Sequence, residues 1–233
     1  MNRDDGGAPA EGAVPVVRGR KVEDLGSDEL RALVEGATHV VADVGAGDGR
    51  TAHRLARAHP DWLVVGIDPA WTRLSATSTR AARRPEKGGA PNLVLVRAAA
   101  EALPPPLAGI ADEVLVLMPW GRLLDGVVRG DPEVCGGLRA LACEGASLDV
   151  TIGTSIWRPP VPVALRDLPE LTPEAAGADL APRLAAAGWA LDEARLLGVA
   201  ELEAGTSSWA RRLDARGDER VLHLRAHAVP HPR

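Results

Sequence analysis

Between an apolar run, His39 to Val44, and a helical pattern, Gly49 to Ala58, the chain reads Asp43-Val44-Gly45-Ala46-Gly47-Asp48-Gly49. Alternating glycines permit a tight turn in which the backbone itself approaches a ligand closely. A strand entering such a turn and a helix leaving it open a doubly wound α/β sheet. The rest of the chain keeps the alternation. Strands are expected at Trp62 to Asp68, Leu93 to Arg97, Glu113 to Met118, Ser147 to Ile152, Leu191 to Leu197 and Arg220 to Ala228. Helices are expected over Ala70 to Arg84, over Leu123 to Ala142 with a break near Asp131-Pro132, and over Ala178 to Ala187. A further helix is expected from Ser27 as cap, with Asp28 and Glu29 in its first turn, to Gly36. Continuous apolar strands separated by helices imply a mostly parallel sheet covered on both faces.

Residues 1–13 read as a flexible leader without an apolar signal core, and 14–233 as one domain. Within it, 14–25 is a short apolar and basic extension in which Val14 to Val22 suggests a strand or hairpin, and 156–177 and 198–219 are longer than the sheet connections require. No run approaches the 18 or so apolar residues of a membrane span, so a cytoplasmic protein is expected. Cys135 and Cys143 make no disulfide framework and no metal-ligand pair, so no metal site is expected. No coiled-coil pattern appears, which favours a monomer. The net charge of −5 argues against a polyanion partner, but its distribution weakens that objection. From Arg50 to Lys87 there are eight bases against three acids, and from Glu101 to Asp149 eight acids against three bases. A net acidic chain polarised in this way has room for a phosphate-binding face; ordinary solvated helix faces explain the same arginines equally well.

The spacing G-x-G-x-G departs from the G-x-G-x-x-G of dinucleotide sites, and Asp43 at the strand end would repel a pyrophosphate. An acid there pairs instead with an ammonium group, which S-adenosyl-L-methionine has. Asp68, followed by Pro69, ends the next strand, where it is placed to accept both ribose hydroxyls. Ala100-Glu101-Ala102-Leu103-Pro104 follows the third strand, at the adenine end. Asp43, Gly45, Ala46, Gly47, Gly49, Asp68, Pro69, Ala100, Glu101 and Leu117 are therefore the expected cosubstrate-binding residues. The fold class this implies is a class I S-adenosylmethionine-dependent methyltransferase. Its sheet is Rossmann-like, seven-stranded and mostly parallel, with an antiparallel last strand.

The methyl acceptor of such enzymes lies beside the end of the fourth strand, where this chain has Val116-Leu117-Met118-Pro119-Trp120-Gly121. Met118 cannot take up an amine proton, and neither cysteine is placed as a nucleophile for carbon methylation. Transfer to a ring nitrogen that already carries a lone pair remains, and it needs in-line approach rather than a general base. A Trp face stacks on a flat base and tolerates the cation that forms. Trp120 and Trp209 are the two candidate platforms, Trp209 lying beside Arg211 and Arg212. Trp62, Trp71, Trp157 and Trp189 read as packing residues.

From about Val17 to the last strand the chain resembles the aminoglycoside-resistance ribosomal RNA methyltransferases of the KamB/NpmA type, which methylate N1 of adenine 1408. The likeness rests on Asp43 to Arg50, Lys87-Gly88-Gly89-Ala90-Pro91-Asn92-Leu93, Ala100 to Pro105, Leu117-Met118-Pro119-Trp120-Gly121, and Thr206-Ser207-Ser208-Trp209-Ala210-Arg211-Arg212-Leu213. It implies a flipped adenine held between Trp120 and Trp209 with the Pro119 backbone orienting the base edge. It further implies Arg211, Arg212, Arg216, Arg18, Arg20, Lys21, Arg83, Arg84 and Lys87 on the phosphates of 16S rRNA at the decoding site of the 30S subunit. S-adenosyl-L-homocysteine would be the second product, and aminoglycoside resistance the consequence. Where the family carries Ser or Thr two residues after the Trp, this chain has Arg122. The long cation either tilts outward toward RNA or, as a second cation near the sulfonium, weakens cosubstrate binding and turnover; Arg122→Ser is expected to bind the cosubstrate more tightly. Two other readings remain open from the residues. One is a methyltransferase for another RNA site or a natural-product small molecule; the other is a poorly active homologue that binds cosubstrate and ribosome.

Overall fold

The computed structural model describes residues 12–198 and 220–230. Its strands are β1 (Ala13–Arg18), β2 (Lys21–Gly26), β3 (His39–Val44), β4 (Trp62–Ile67), β5 (Leu93–Val96), β6 (Ala111–Leu117), β7 (Ala142–Gly153), β8 (Trp189–Gly198) and β9 (Arg220–Ala228). The helices are α1 (Ser27–Glu35), α2 (Arg50–Ala58), α3 (Ser75–Ala81), α4 (Gly121–Arg129), α5 (Pro132–Leu141) and α6 (173–186).

One sheet runs in the order β2-β1-β5-β4-β3-β6-β7-β9-β8. β5, β4, β3, β6 and β7 run parallel to one another, β1 is antiparallel to β5, and β9 is antiparallel to both β7 and β8. The expected seven-strand sheet is thus corrected to nine. The strands from β5 to β8 keep the anticipated arrangement, and the β1–β2 hairpin extends the edge beyond β5. Gly19 turns that hairpin with φ of +61°, and its N–H donates to Ser78 Oγ at 2.8 Å. The first strand starts at Ala13, one residue inside the expected leader.

Three expected helices are modified. Ser27 does not cap α1; it is the first helical residue, after Gly26, and makes no capping bond. The stretch Ala70 to Arg84 divides into a 3-10 turn, Trp71–Arg73, and α3. α6 begins five residues earlier than the pattern suggested, because Thr172 Oγ1 accepts from Ala175 N and Pro173 fits the first helical position.

Val40, Ala42 and Val44 of β3, Leu63, Val65 and Ile67 of β4, and Val114 and Val116 of β6 pack with Leu124, Leu138 and Leu184 from α4, α5 and α6. Ala52 and Ala56 of α2 cover the other face through Val64 and Ala81. Trp189 is fully buried and donates its indole N–H to the Cys135 carbonyl, as befits a packing residue. Trp62 is stacked on His59 at 3.7 Å. Both cysteines are free thiols. No helix among the described residues is long and apolar enough to cross a membrane.

Candidate active site

The strand order reverses between β3 and β6, which opens a crevice at their carboxyl ends, the place where α/β sheets bind ligands. The glycine turn leaves β3 into that crevice. Gly45, Gly47 and Gly49 take φ of +76°, +61° and +72°, so each needs glycine for backbone reasons. A Cβ on Gly45 would lie 2.6 Å from Leu123 of α4, so the turn is also pressed against the acceptor-side helix. Ile67 O receives both Gly45 N and Ala46 N, and fixes the turn to the end of β4.

Asp68 is buried directly after β4. Its Oδ2 accepts from Gly47 N and its Oδ1 from Ala70 N, both at 2.8 Å. The expected ribose acceptor therefore also holds the glycine turn in shape, while Pro69 beside it is exposed. Asp43 is buried at the end of β3, and its Oδ2 has no hydrogen-bond partner. Burial, and then the neighbouring Asp68 carboxylate, push its pKa up to about 7. An orphaned buried carboxylate oxygen beside a glycine cradle fits a ligand that brings its own cation.

Ala100 is buried and Glu101 exposed in a tight turn closed by Ala102 N donating to Ala99 O. α5 underpins this turn through a residue not identified from sequence. A Cβ on Gly137 would sit 1.8 Å from Ala100 O, so glycine alone lets the helix lie against the backbone there. Gly137→Ala is expected to lower cosubstrate affinity at least about tenfold by calorimetry, since a backbone carbonyl has nowhere to retreat. Gly136→Ala is the control: its Cβ meets nothing within 4 Å, and it should raise stability by roughly 1 kcal/mol with affinity unchanged.

On the acceptor side Leu117 is half-buried and ends β6, Met118 N donates to Thr151 O, and Pro119 is buried. Met118 takes φ of +51°, a left-handed conformation strained for a side chain of its size. With Gly121 also at positive φ, the turn lifts Trp120 out of the sheet, 60 % exposed. An indole left that open is not a core residue. Arg18, Arg20, Lys21, Arg83, Arg84 and Lys87 are all exposed, and Arg18 is paired with Glu23 and Glu29. Trp209, Arg211, Arg212 and Arg216 lie outside the described residues.

The Lys87 to Leu93 motif turns out to be architectural. His53 Nε2 donates to Gly88 O, and Asn92 Nδ2 contacts the carbonyls of Ala56, His59 and Trp62 at the end of α2. Burial lowers the His53 pKa, which suits a neutral donor. Arg122 does not face the cosubstrate crevice as a lone cation. Its guanidinium pairs with Asp131 at 3.1 Å and Glu133 at 3.2 Å.

A glycine cradle at the switch point, two buried carboxylates at adjacent strand ends and a strained turn beside them define an S-adenosylmethionine-dependent α/β methyltransferase. Residues 15–228 match the model of the NpmA family, described as 16S rRNA (adenine(1408)-N(1))-methyltransferase. The chain belongs to that family. It is 43 % identical over 202 residues to the 16S rRNA (adenine(1408)-N(1))-methyltransferase of Streptoalloteichus hindustanus, covering 87 % of this chain and 93 % of the relative. Among solved structures it is similar to a tryptophan-to-alanine variant of the same-named enzyme from Catenulisporales acidiphilia with its cosubstrate SAM. There the TM-score is 0.89 and identity 55 %, with 95 % of this chain and 99 % of the other covered. It is likewise similar to the 16S rRNA methyltransferase KamB, with a TM-score of 0.84, 41 % identity, and 93 % and 100 % coverage.

Proposed function

We propose that this chain methylates N1 of adenine 1408 in 16S rRNA of the assembled 30S subunit, and so confers aminoglycoside resistance. The observation that carries the reading is the strained Met118 turn holding Trp120 open beside the Asp43–Asp68 cradle. S-adenosyl-L-methionine supplies an electrophilic methyl group on a sulfonium and leaves as S-adenosyl-L-homocysteine. Asp43 would take the ammonium group, Asp68 and Pro69 the ribose, and Ala100 and Glu101 the adenine end. Gly45, Ala46, Gly47 and Gly49 let the backbone close around these groups, with Leu117 at the rim.

Trp120 would stack on the flipped target adenine, and Trp209 would take its other face. Pro119 orients the base edge through its backbone. Flipping costs a few kcal/mol of unstacking, and each aromatic face returns roughly 1–3 kcal/mol. No proton need be removed, so Met118, which cannot accept one, suits ring-nitrogen chemistry in the turn before Trp120. The indole faces stabilise the cationic product. Arg18, Arg20, Lys21, Arg83, Arg84 and Lys87, with Arg211, Arg212 and Arg216, would hold rRNA phosphates. One domain, acting as a monomer in the cytoplasm, suffices for this scheme, since a single chain carries both cradle and platform.

The test is incorporation of labelled methyl from S-adenosyl-L-methionine into purified 30S subunits, 50S subunits and tRNA. The expected result is about one methyl per 30S subunit and none elsewhere. Incorporation into another RNA alone would overturn the reading.

A further inference from the structure

Arg122 is the exposed cation of the acceptor turn, and its surroundings give it a definite job. It stands in the first turn of α4, two residues after Trp120. Its Nη2 reaches Asp131 Oδ2 and Glu133 Oε2 together. Asp131 is itself fixed, because its Oδ1 caps α5 by accepting from Glu133 N and Val134 N. α4 and α5 are held close at a second point: Asp131 N donates to Gly126 O, and a Cβ on Gly126 would lie 2.4 Å from Val134. At a third point α5 presses Gly137 on Ala100 O, under the turn that presents Glu101. Glu101 also adds to the negative field felt by Arg122.

These contacts form one continuous path from the Trp120 turn, through Arg122 and Asp131, along α5, to the Ala100–Glu101 turn. We infer that Arg122 is a positioning residue: it ties the Trp120 turn to the capped start of α5 and so holds the base platform in register with the cosubstrate pocket. The inference rests on the proposed function for the identity of the base, but not for the tether. Exposed ion pairs contribute little to global stability, so the effect lies in orientation rather than in melting temperature. Removing the guanidinium would also leave Asp131, Glu133 and Glu101 as neighbouring carboxylates with their common counter-charge gone. This replaces the expectation that Arg122→Ser tightens cosubstrate binding, because two carboxylates already neutralise the cation.

The experiment compares wild type, Arg122→Ser, Arg122→Lys and Glu133→Gln. The expected result for Arg122→Ser is a three- to tenfold rise in KM or fall in kcat for 30S. Its Kd for S-adenosyl-L-methionine should stay within twofold and its melting temperature should be unchanged, with Arg122→Lys recovering most of the rate. An activity-independent readout is the 19F spectrum of 5-fluorotryptophan-labelled protein, in which the Trp120 resonance is assigned by its loss in Trp120→Phe. Arg122→Ser should shift or broaden that resonance, Arg122→Lys should restore it, and the Trp189 resonance should not move. An unmoved Trp120 resonance, or 30S kinetics equal to wild type, would overturn the tether. Failure of the wild-type protein to methylate 30S would count against the proposed function instead, and leaves the spectral test standing.

Discussion

Trp120→Ala is expected to slow methyl transfer to the 30S subunit by roughly 10- to 100-fold, which corresponds to about 1–3 kcal/mol of base–aromatic stacking. The indole is 60 % exposed, so its removal opens no core cavity and the melting temperature should hold within a degree or two. Cosubstrate affinity should also be retained within about twofold, because the proposed cosubstrate cradle is built from Asp43, Asp68 and the glycine turn rather than from the indole. Trp120→Phe should keep most of the rate, since any aromatic face stacks. If Trp120→Ala weakened cosubstrate binding and methyl transfer equally, the platform role would be wrong and Trp120 would belong to the pocket wall.

Asp43→Asn should produce opposite effects on stability and binding. The folded state raises the Asp43 pKa from the ordinary 3.8 to about 7. A carboxyl that binds its proton more tightly when folded loses stability as pH rises from about 4 to 7, and carries the whole penalty above 7. That penalty is at most roughly 4 kcal/mol. Asparagine cannot ionise, so at pH 8 the variant should melt about 5 °C or more above wild type, with no gain at pH 3.5. The same substitution removes the partner for the ammonium group, and cosubstrate affinity should fall by at least a hundredfold. Wild-type affinity should weaken by about tenfold per pH unit below 7, because binding must first expel the proton from Asp43, and the variant should lack this slope. Calorimetry of both proteins from pH 5.5 to 8 checks both statements. A less stable variant with full affinity would remove Asp43 from the site.

What the sequence disclosed depended on whether a residue acts through its own type or through distant partners. The glycine turn was legible because residue type sets backbone conformation and the flanking acids set charge. Asp43 and Asp68 could be placed because continuous apolar strands mark their own ends. The strand or hairpin expected over Val14 to Val22 is a hairpin, but the extent of β2 to Gly26 was not legible because it is a polar edge with only Leu25 buried, so the hydrophobic pattern barely registers it. The early start of α6 had a local signal in Thr172-Pro173-Glu174, which the apolar periodicity downstream outweighed. The seat of Gly137 on Ala100 and the Arg122–Asp131 pairing join residues from different elements, and no local pattern announces either. The Met118 strain was equally silent, since nothing about a methionine advertises a positive φ.

The central claim is tested most directly by mapping the modified nucleotide. Purified 30S subunits would be incubated with the protein and S-adenosyl-L-methionine, then analysed by primer extension across the decoding site and by nucleoside mass spectrometry. The predicted result is a reverse-transcriptase stop at adenine 1408 together with 1-methyladenosine, both absent without protein. A stop at another position, or a methyl group found on another nucleoside, would contradict the account.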